Sequence, residues 1–215
     1  MPRSHYPRAA LSPPEEDGVR RLPPGSHGIP ADLVARNQRE RLVAAVAEAC
    51  AEKGYAEISI ADLTRRAGIS TSTFYKLFAG KLECALEAHR ELFGRLLEEV
   101  DRACLGEEER PAKIVAGIRT VLELFAADPP TARLLTVEVL ALGTAGAERN
   151  DAAIETLAAR LRAGLEGEED PARPSAEWVF VAGAGGLIGK RVMAGEAVTL
   201  PALEDELVAM AAALR

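Results

Sequence analysis

The 23 residues from Ser59 to Lys81, SIADLTRRAGISTSTFYKLFAGK, restrict the possible fold more than any other part of the chain. Ser59 followed three residues later by Asp62 has the form of a capping box, with the serine accepting from the Asp62 amide and the carboxylate near the helix's positive end. A helix is therefore predicted from Ile60, with Ile60, Leu63 and Ala67 on one face. Gly68 follows directly, the residue type that ends helices in the left-handed conformation. Ile69 then packs inward and Ser70 caps a second helix, whose Phe74 and Phe78, four residues apart, share one side. Thr71, Ser72, Tyr75 and Lys76 fall largely off that apolar stripe. Two short helices joined by a tight glycine turn make a helix-turn-helix.

The polar side of the second helix suits a DNA groove. Hydroxyls and an amine bond base edges and phosphates, and a phenol does the same while packing on sugar. Ser70, Thr71, Ser72, Thr73, Tyr75 and Lys76 are the candidates, with Thr71, Ser72 and Tyr75 assigned to bases, Lys76 to phosphate and Ser70 mainly to the cap. Lys81, beside the amides of the next helix's N-terminus, and Arg39 and Arg41 on the preceding helix are further phosphate candidates. The alternative is a polar face wetted by solvent, because helical hairpins with a glycine turn are common.

The segment from about Asn37 to Leu86 resembles the DNA-binding domain of the tetracycline-repressor (TetR) family of bacterial regulators. Its matching residues are Arg41 to Tyr55 as the first helix and its exit, then Ile60-Ala61-Asp62-Leu63, Ala67-Gly68-Ile69-Ser70, Phe74-Tyr75, Phe78, Lys81 and Leu86. Two positions depart from the family pattern. Thr64 stands where a small apolar residue is commoner, and Leu77 where a polar residue usually precedes the second phenylalanine. The resemblance implies an all-α homodimer on a palindromic operator, with a larger C-terminal helical domain that encloses a small-molecule ligand.

Charge agrees with a split of roles. The whole chain is at −7, but residues 30–81 are at +2 and residues 82–215 at −10. The acidic part is kept away from phosphates, so DNA binding depends on a few placed cations, doubled by dimerisation. A hydrophobic content of 48% with only 4% aromatic residues favours closely packed helices over a β-sandwich. Cys50, Cys84 and Cys104 form no CxxC pair, so neither a disulfide frame nor a zinc site is expected; no metal and no cofactor are predicted. No signal peptide or membrane span is recognised, and a cytoplasmic location is expected.

Residues 1–29 are rich in proline and are read as an unfolded arm, in which Arg20 and Arg21 either lie along DNA or are simply solvated. The lead-in Leu22 to Ile29 is similar to one found in actinobacterial members of the TetR family. The DNA-binding domain is placed at 30–80 and the ligand-binding and dimerisation domain at 81–215. Asp32 is expected to cap a lead helix that continues or restarts as Asn37 to Lys53, with Leu42, Val46, Ala49 and Cys50 inward and Gly54 as its stop.

From Lys81 a helix with Leu82, Leu86, Phe93, Leu96, Leu97 and Val100 at helical spacing runs to about Cys104, about 33 Å at 1.5 Å per residue, long enough to transmit a signal between domains. Pro111 opens a helix with Ile114, Ile118, Val121, Leu122 and Phe125; others are expected at 131–142 and 147–165. In the TetR family the equivalent helices enclose the ligand, which makes Leu122, Phe125, Leu135, Glu138, Val139 and Leu142 the candidate lining. Glu138 lies on or beside the apolar stripe of Leu135, Val139 and Leu142, so it either orients a ligand or pairs with Arg119 or Arg133.

The run WVFVAGAGGLIGKRV, Trp178 to Val192, imitates a dehydrogenase's nucleotide-binding turn through Gly183, Gly186 and Gly189. Only 26 residues follow Gly189, too few for the βα units such a turn requires. The preferred reading is a helix over 175–194 whose Ala182, Gly183, Gly185, Gly186 and Gly189 admit a close neighbour. A last helix, capped by Thr199, shows Leu203, Leu207, Met210 and Leu214 at heptad-like spacing. These two helices are assigned to the dimer interface; the alternative is that both complete the protomer's core. Taken together the chain reads as a ligand-released repressor and not an enzyme, with an NAD(P)-binding oxidoreductase and a helical adaptor without DNA binding as the competing classes.

Overall fold

The computed structural model describes residues 30–164 and 176–214, and all regular structure among them is helical. The proline-rich arm with Arg20, Arg21 and the 22–29 lead-in lies outside the described residues. Helix α1, Ala31–Lys53, is one continuous rod entered through Pro30, so Asp32 sits in its first turn and caps nothing. Its second half is buried over most of its circumference, from Leu42 through Cys50, because α2 (Ile60–Ala67), α4 (Lys81–Leu105) and α6 (Pro129–Thr136) all pack on it.

The capping box forms as expected. The Ser59 hydroxyl accepts from the Asp62 amide at 3.1 Å and the Asp62 carboxylate accepts from the Ser59 amide at 3.0 Å. Hydrogen bonds from the Ser59 hydroxyl and the Lys53 ammonium, with smaller contributions from the Ser59 amide and Arg65, hold the Asp62 carboxyl well below the usual carboxylate range. Gly68 ends α2 at φ 60°, in the left-handed region. Helix α3, Thr71–Leu77, follows with Ser70 as its N-cap. Phe74 and Phe78 are buried with ring centroids 5.9 Å apart. Of the two departures from the family pattern, Thr64 is buried with its hydroxyl donating to the Ala61 carbonyl, and half-buried Leu77 packs against the core.

Helix α4 spans 25 residues, about 37 Å, and packs against both α1 and α5 (Arg110–Ala127). Its most buried positions are Cys84, Ala85, Ala88, His89, Leu92, Leu96 and Val100, a stripe rotated from the one read in sequence, and Leu82 is exposed. The difference has a simple cause. The first two turns bury small residues, Cys84, Ala85 and Ala88, and the large side chains join the stripe from His89 onward, because α4 packs on both α1 and α5.

The segment expected as one helix over 131–142 divides into α6 and a 3-10 turn, Glu138–Leu142, after Val137 leaves helical geometry. Helix α7, Thr144–Gly164, lies close on this turn. At Gly146 a Cβ would collide with the Val139 carbonyl, so only glycine fits there. Helix α8, Ala176–Met193, contains the whole glycine run, which is therefore helical and forms no strand-to-helix nucleotide turn. After it come a 3-10 stretch, Ala197–Leu203, and the short α9, Glu204–Ala212. Thr199 does not cap α9: its hydroxyl donates to the Glu196 carbonyl and accepts from Arg191. Among the described residues no helix is long and apolar enough to cross a membrane, and no group of side chains could hold a metal ion.

Candidate nucleic-acid interface and ligand cavity

The polar side of α3 is outward. Thr71, Ser72, Tyr75 and Lys76 are exposed, Tyr75 to 57%, while Phe74 behind them is fully buried and meets the Tyr75 ring edge-on. Ser70 Oγ accepts from the Thr73 amide at 3.1 Å and lies within 3.0 Å of the Ser72 and Thr73 hydroxyls. Ser70 is thus held as the cap, and three hydroxyls are clustered at the N-terminus of α3 where donors and acceptors can both be presented.

Two expected phosphate ligands are engaged elsewhere. The Lys81 ammonium donates to the carbonyls of Tyr55 and Ile58 at 3.0 and 2.9 Å, reaches that of Ala56 at 3.5 Å, and stands 4.4 Å from the centre of the Tyr55 ring. The Arg41 guanidinium donates to the Ala67 carbonyl at the C-terminus of α2, beside Gly68. Both cations stabilise orphan carbonyls of the hairpin, which is the correction to their assignment. Arg39 lies over the Phe78 ring at 5.3 Å, next to α3.

The C-terminal helices enclose a cavity of about 650 Å³, within the range of small-molecule sites. Leu122, Phe125 and Leu135 line it. Glu138, Val139 and Leu142 do not, although all three are buried. Glu138 Oε1 accepts from Arg133 Nε at 2.8 Å, and Oε2 accepts from the Tyr55 amide at 2.7 Å. Arg133 in turn donates to the Ala51 carbonyl at 3.0 Å. The carboxylate is therefore satisfied inside the protein and braces the end of α1, which is the Arg133 pairing of the two readings and not the ligand contact.

Several residues have no sequence signal that marks them as cavity wall: Phe93, Asp101, Cys104, Lys113 and Trp178. Arg160, also on the wall, has a readable one, since it interrupts the apolar spacing of Ile154, Leu157 and Leu161 just as Glu138 interrupts its own stripe. His89 likewise emerges only in the fold. It is fully buried, stacked on Phe93, and no partner reaches either ring nitrogen among the described residues. Burial, with a smaller contribution from Arg149, lowers its pKa to about 4, so the ring is neutral. Burial pushes the thiols of Cys50 and Cys84 up to about 12, which makes them inert core groups.

The residues assigned to a dimer interface divide. Leu203 and Leu207 are buried in the protomer's own core against α5, and Gly189 is buried against Thr136 and Val137 of its own chain. Leu214 packs partly on the same core, and Ala182 faces the cavity. Leu203, Leu207 and Gly189 are thus corrected to internal packing, while Leu214 and Ala182 are only half-buried. Gly183, Gly186 and Met210 are exposed, Gly186 while also bordering the cavity, and with Val179 and Met193 the glycines form an outward stripe along α8.

Residues 42–88 match the family model described as "Bacterial regulatory proteins, tetR family". No curated protein matches the chain in sequence. Among solved structures, the fatty acid degradation regulator FadR of Bacillus halodurans superposes with a TM-score of 0.69 at 17% identity, over 81% of this chain and 94% of that one. FadR of Bacillus subtilis, solved in complex with stearoyl-CoA, gives 0.65 at 19% identity, over 80% and 96%. A transcriptional regulator from Rhodococcus sp. RHA1 gives 0.63 at 23% identity, over 82% and 95%. At these identities the likeness is one of fold.

Proposed function

We propose that this chain, a DNA-binding transcriptional regulator of the TetR family, binds a palindromic operator as a homodimer and is released from it when a small apolar molecule fills the cavity of its C-terminal helices. The carrying observation is the continuity between the two sites through α6. Leu135 and Thr136 line the cavity, while Arg133, on the same helix, and Glu138, just beyond it, grip the end of α1 and the Tyr55 amide. A ligand that moves α6 changes the support of the hairpin.

The mechanism is a population shift. Ligand must favour the form in which the two recognition helices are wrongly spaced for successive major grooves, and it can shift the equilibrium only by its differential affinity for the two forms. Thr71, Ser72 and Tyr75 read bases, with Thr73 beside them and Lys76 on phosphate. Arg39 is near enough to α3 to add a second backbone contact. The outward stripe of α8, together with Met210 of α9, pairs with its copy, because a two-fold operator requires a two-fold protein. The FadR likeness makes a long acyl compound the first effector class to try. The lead-in at 22–29 supports an actinobacterial-type member, acting in the cytoplasm.

Enrichment of random duplex DNA by wild type and Tyr75→Ala, each at two salt concentrations, tests this reading. A two-fold symmetric motif that disappears with Tyr75→Ala is expected. A folded, ligand-free dimer that enriches no motif would remove the operator-binding role.

A further inference from the structure

Among the described residues that line the cavity, only Asp101, Lys113 and Arg160 are charged, and they gather around Cys104. Asp101 stands on the last turns of α4, Lys113 on the first of α5 and Arg160 on α7. All three act on the thiol of Cys104, which donates to the Lys113 carbonyl at 3.4 Å: burial, Asp101 and, least of all, Glu107 push that thiol up, while Lys113 and Arg160 pull it down. Arg160 is bidentate on Asp101, with Nε and Nη2 donating at 2.8 and 2.9 Å. Both side chains are partly open to water, Arg160 to 36% and Asp101 to 52%, and among the described residues no carboxylate pairs with Lys113. The rest of the wall is mainly apolar, from Phe93 and Leu96 to Phe125 and Trp178.

On the wall itself two cations face one anion, since Glu107 is exposed and off the wall, so one positive charge is left there without a wall carboxylate, and a water-exposed ion pair exchanges partners at little cost. We propose that the cavity takes an amphiphile whose anionic head, a carboxylate or phosphate, is held by Arg160 and Lys113, with Asp101 displaced from Arg160. This assignment rests on the cavity being the effector site. The guanidinium fork matches either head, and Lys113 adds the second charge. Displacing Asp101 unties α4 from α7 at one end of the helix whose other end, through Lys81, holds the turn before α2. The head thus acts on the long helix, and the apolar chain on α6.

Trp178 is the single tryptophan and lines the cavity, so its fluorescence reports occupancy. Full-length protein stripped of lipid is titrated with palmitate, palmitoyl-CoA and hexadecanol. At least one anionic probe is expected to bind tenfold or more tightly than hexadecanol, and which of the two does so identifies the head. Arg160→Gln weakens that probe about tenfold and leaves hexadecanol unchanged, whereas Asp101→Asn tightens it. Lys113→Gln, read the same way, decides the matter should circular dichroism show Arg160→Gln unfolded. Equal binding of all three probes to wild type, or an equal loss of all three in folded variants, overturns the head-group assignment alone. Binding of none overturns the effector-site reading with it.

Discussion

The Glu138 carboxylate accepts the Tyr55 amide at 2.7 Å, a contact across 83 positions of sequence that joins the C-terminal helices to the turn before α2. Its second oxygen is held by Arg133, so the joint is a buried pair with a backbone donor completing it. Replacing one member of such a pair leaves the other charge uncompensated, at about 3 kcal/mol. Glu138→Gln is therefore expected to lower the unfolding free energy read from a urea titration by an amount of that order. Trp178 titrations should show ligand affinity unchanged, because Glu138 is not on the cavity wall.

Lys81 and Lys76 should separate in a salt titration of operator binding. Removing a cation from one phosphate reduces the slope of log affinity against log salt by about 1. Lys76→Ala is expected to lower the slope at unchanged stability. Lys81→Ala should leave the slope alone and destabilise the protein by about 2 kcal/mol, the scale of a charged hydrogen bond, since its ammonium is bonded to carbonyls.

Two glycines should respond in opposite directions. Gly68→Ala places a Cβ at φ 60° and 2.5 Å from the Arg41 guanidinium, and a loss of more than about 1 kcal/mol is expected in chemical unfolding. Gly117 lies within α5, and a Cβ there meets Cys104 and Val100 at an ordinary 3.7 Å. Gly117→Ala is expected to raise stability by up to about 1 kcal/mol, the helix propensity difference.

The helix-turn-helix was legible because its determinants are local. Ser59 with Asp62, Gly68, Ser70 and the Phe74–Phe78 spacing each fix backbone within a few residues. The cavity was legible only in part, through Leu122 and Phe125 on the apolar stripe of α5 and Leu135 of α6. Lys81 and Arg41 mislead in sequence for one physical reason: a charged side chain goes to whichever orphan carbonyl the tertiary fold brings within reach, and these lie 23 and 26 residues away in sequence, whereas Glu138 takes the Arg133 partner that its local sequence offered and adds the Tyr55 amide 83 residues away. Leu203 and Leu207 carry a heptad-like spacing that serves the protomer's own core equally well, and periodicity does not say whose helix covers it.

His89 gives stability a dependence on pH. Its folded pKa of about 4 lies below the ordinary value of 6.5, so the unfolded chain binds the extra proton between those values. The contribution is fully present above about pH 6.5, falls as pH drops toward 4, and is flat below. Urea unfolding at pH 5 and pH 7.5 should show a smaller difference for His89→Leu than for wild type.

Control of operator binding by the cavity is tested most directly in a single titration with two readouts. The enriched operator duplex carries a fluorophore for anisotropy while Trp178 reports the cavity, and the amphiphile that binds best is added to the preformed complex. The duplex is expected to leave over the same concentration range in which the Trp178 signal saturates. A saturated Trp178 signal with the duplex still fully bound would contradict any coupling between the two sites.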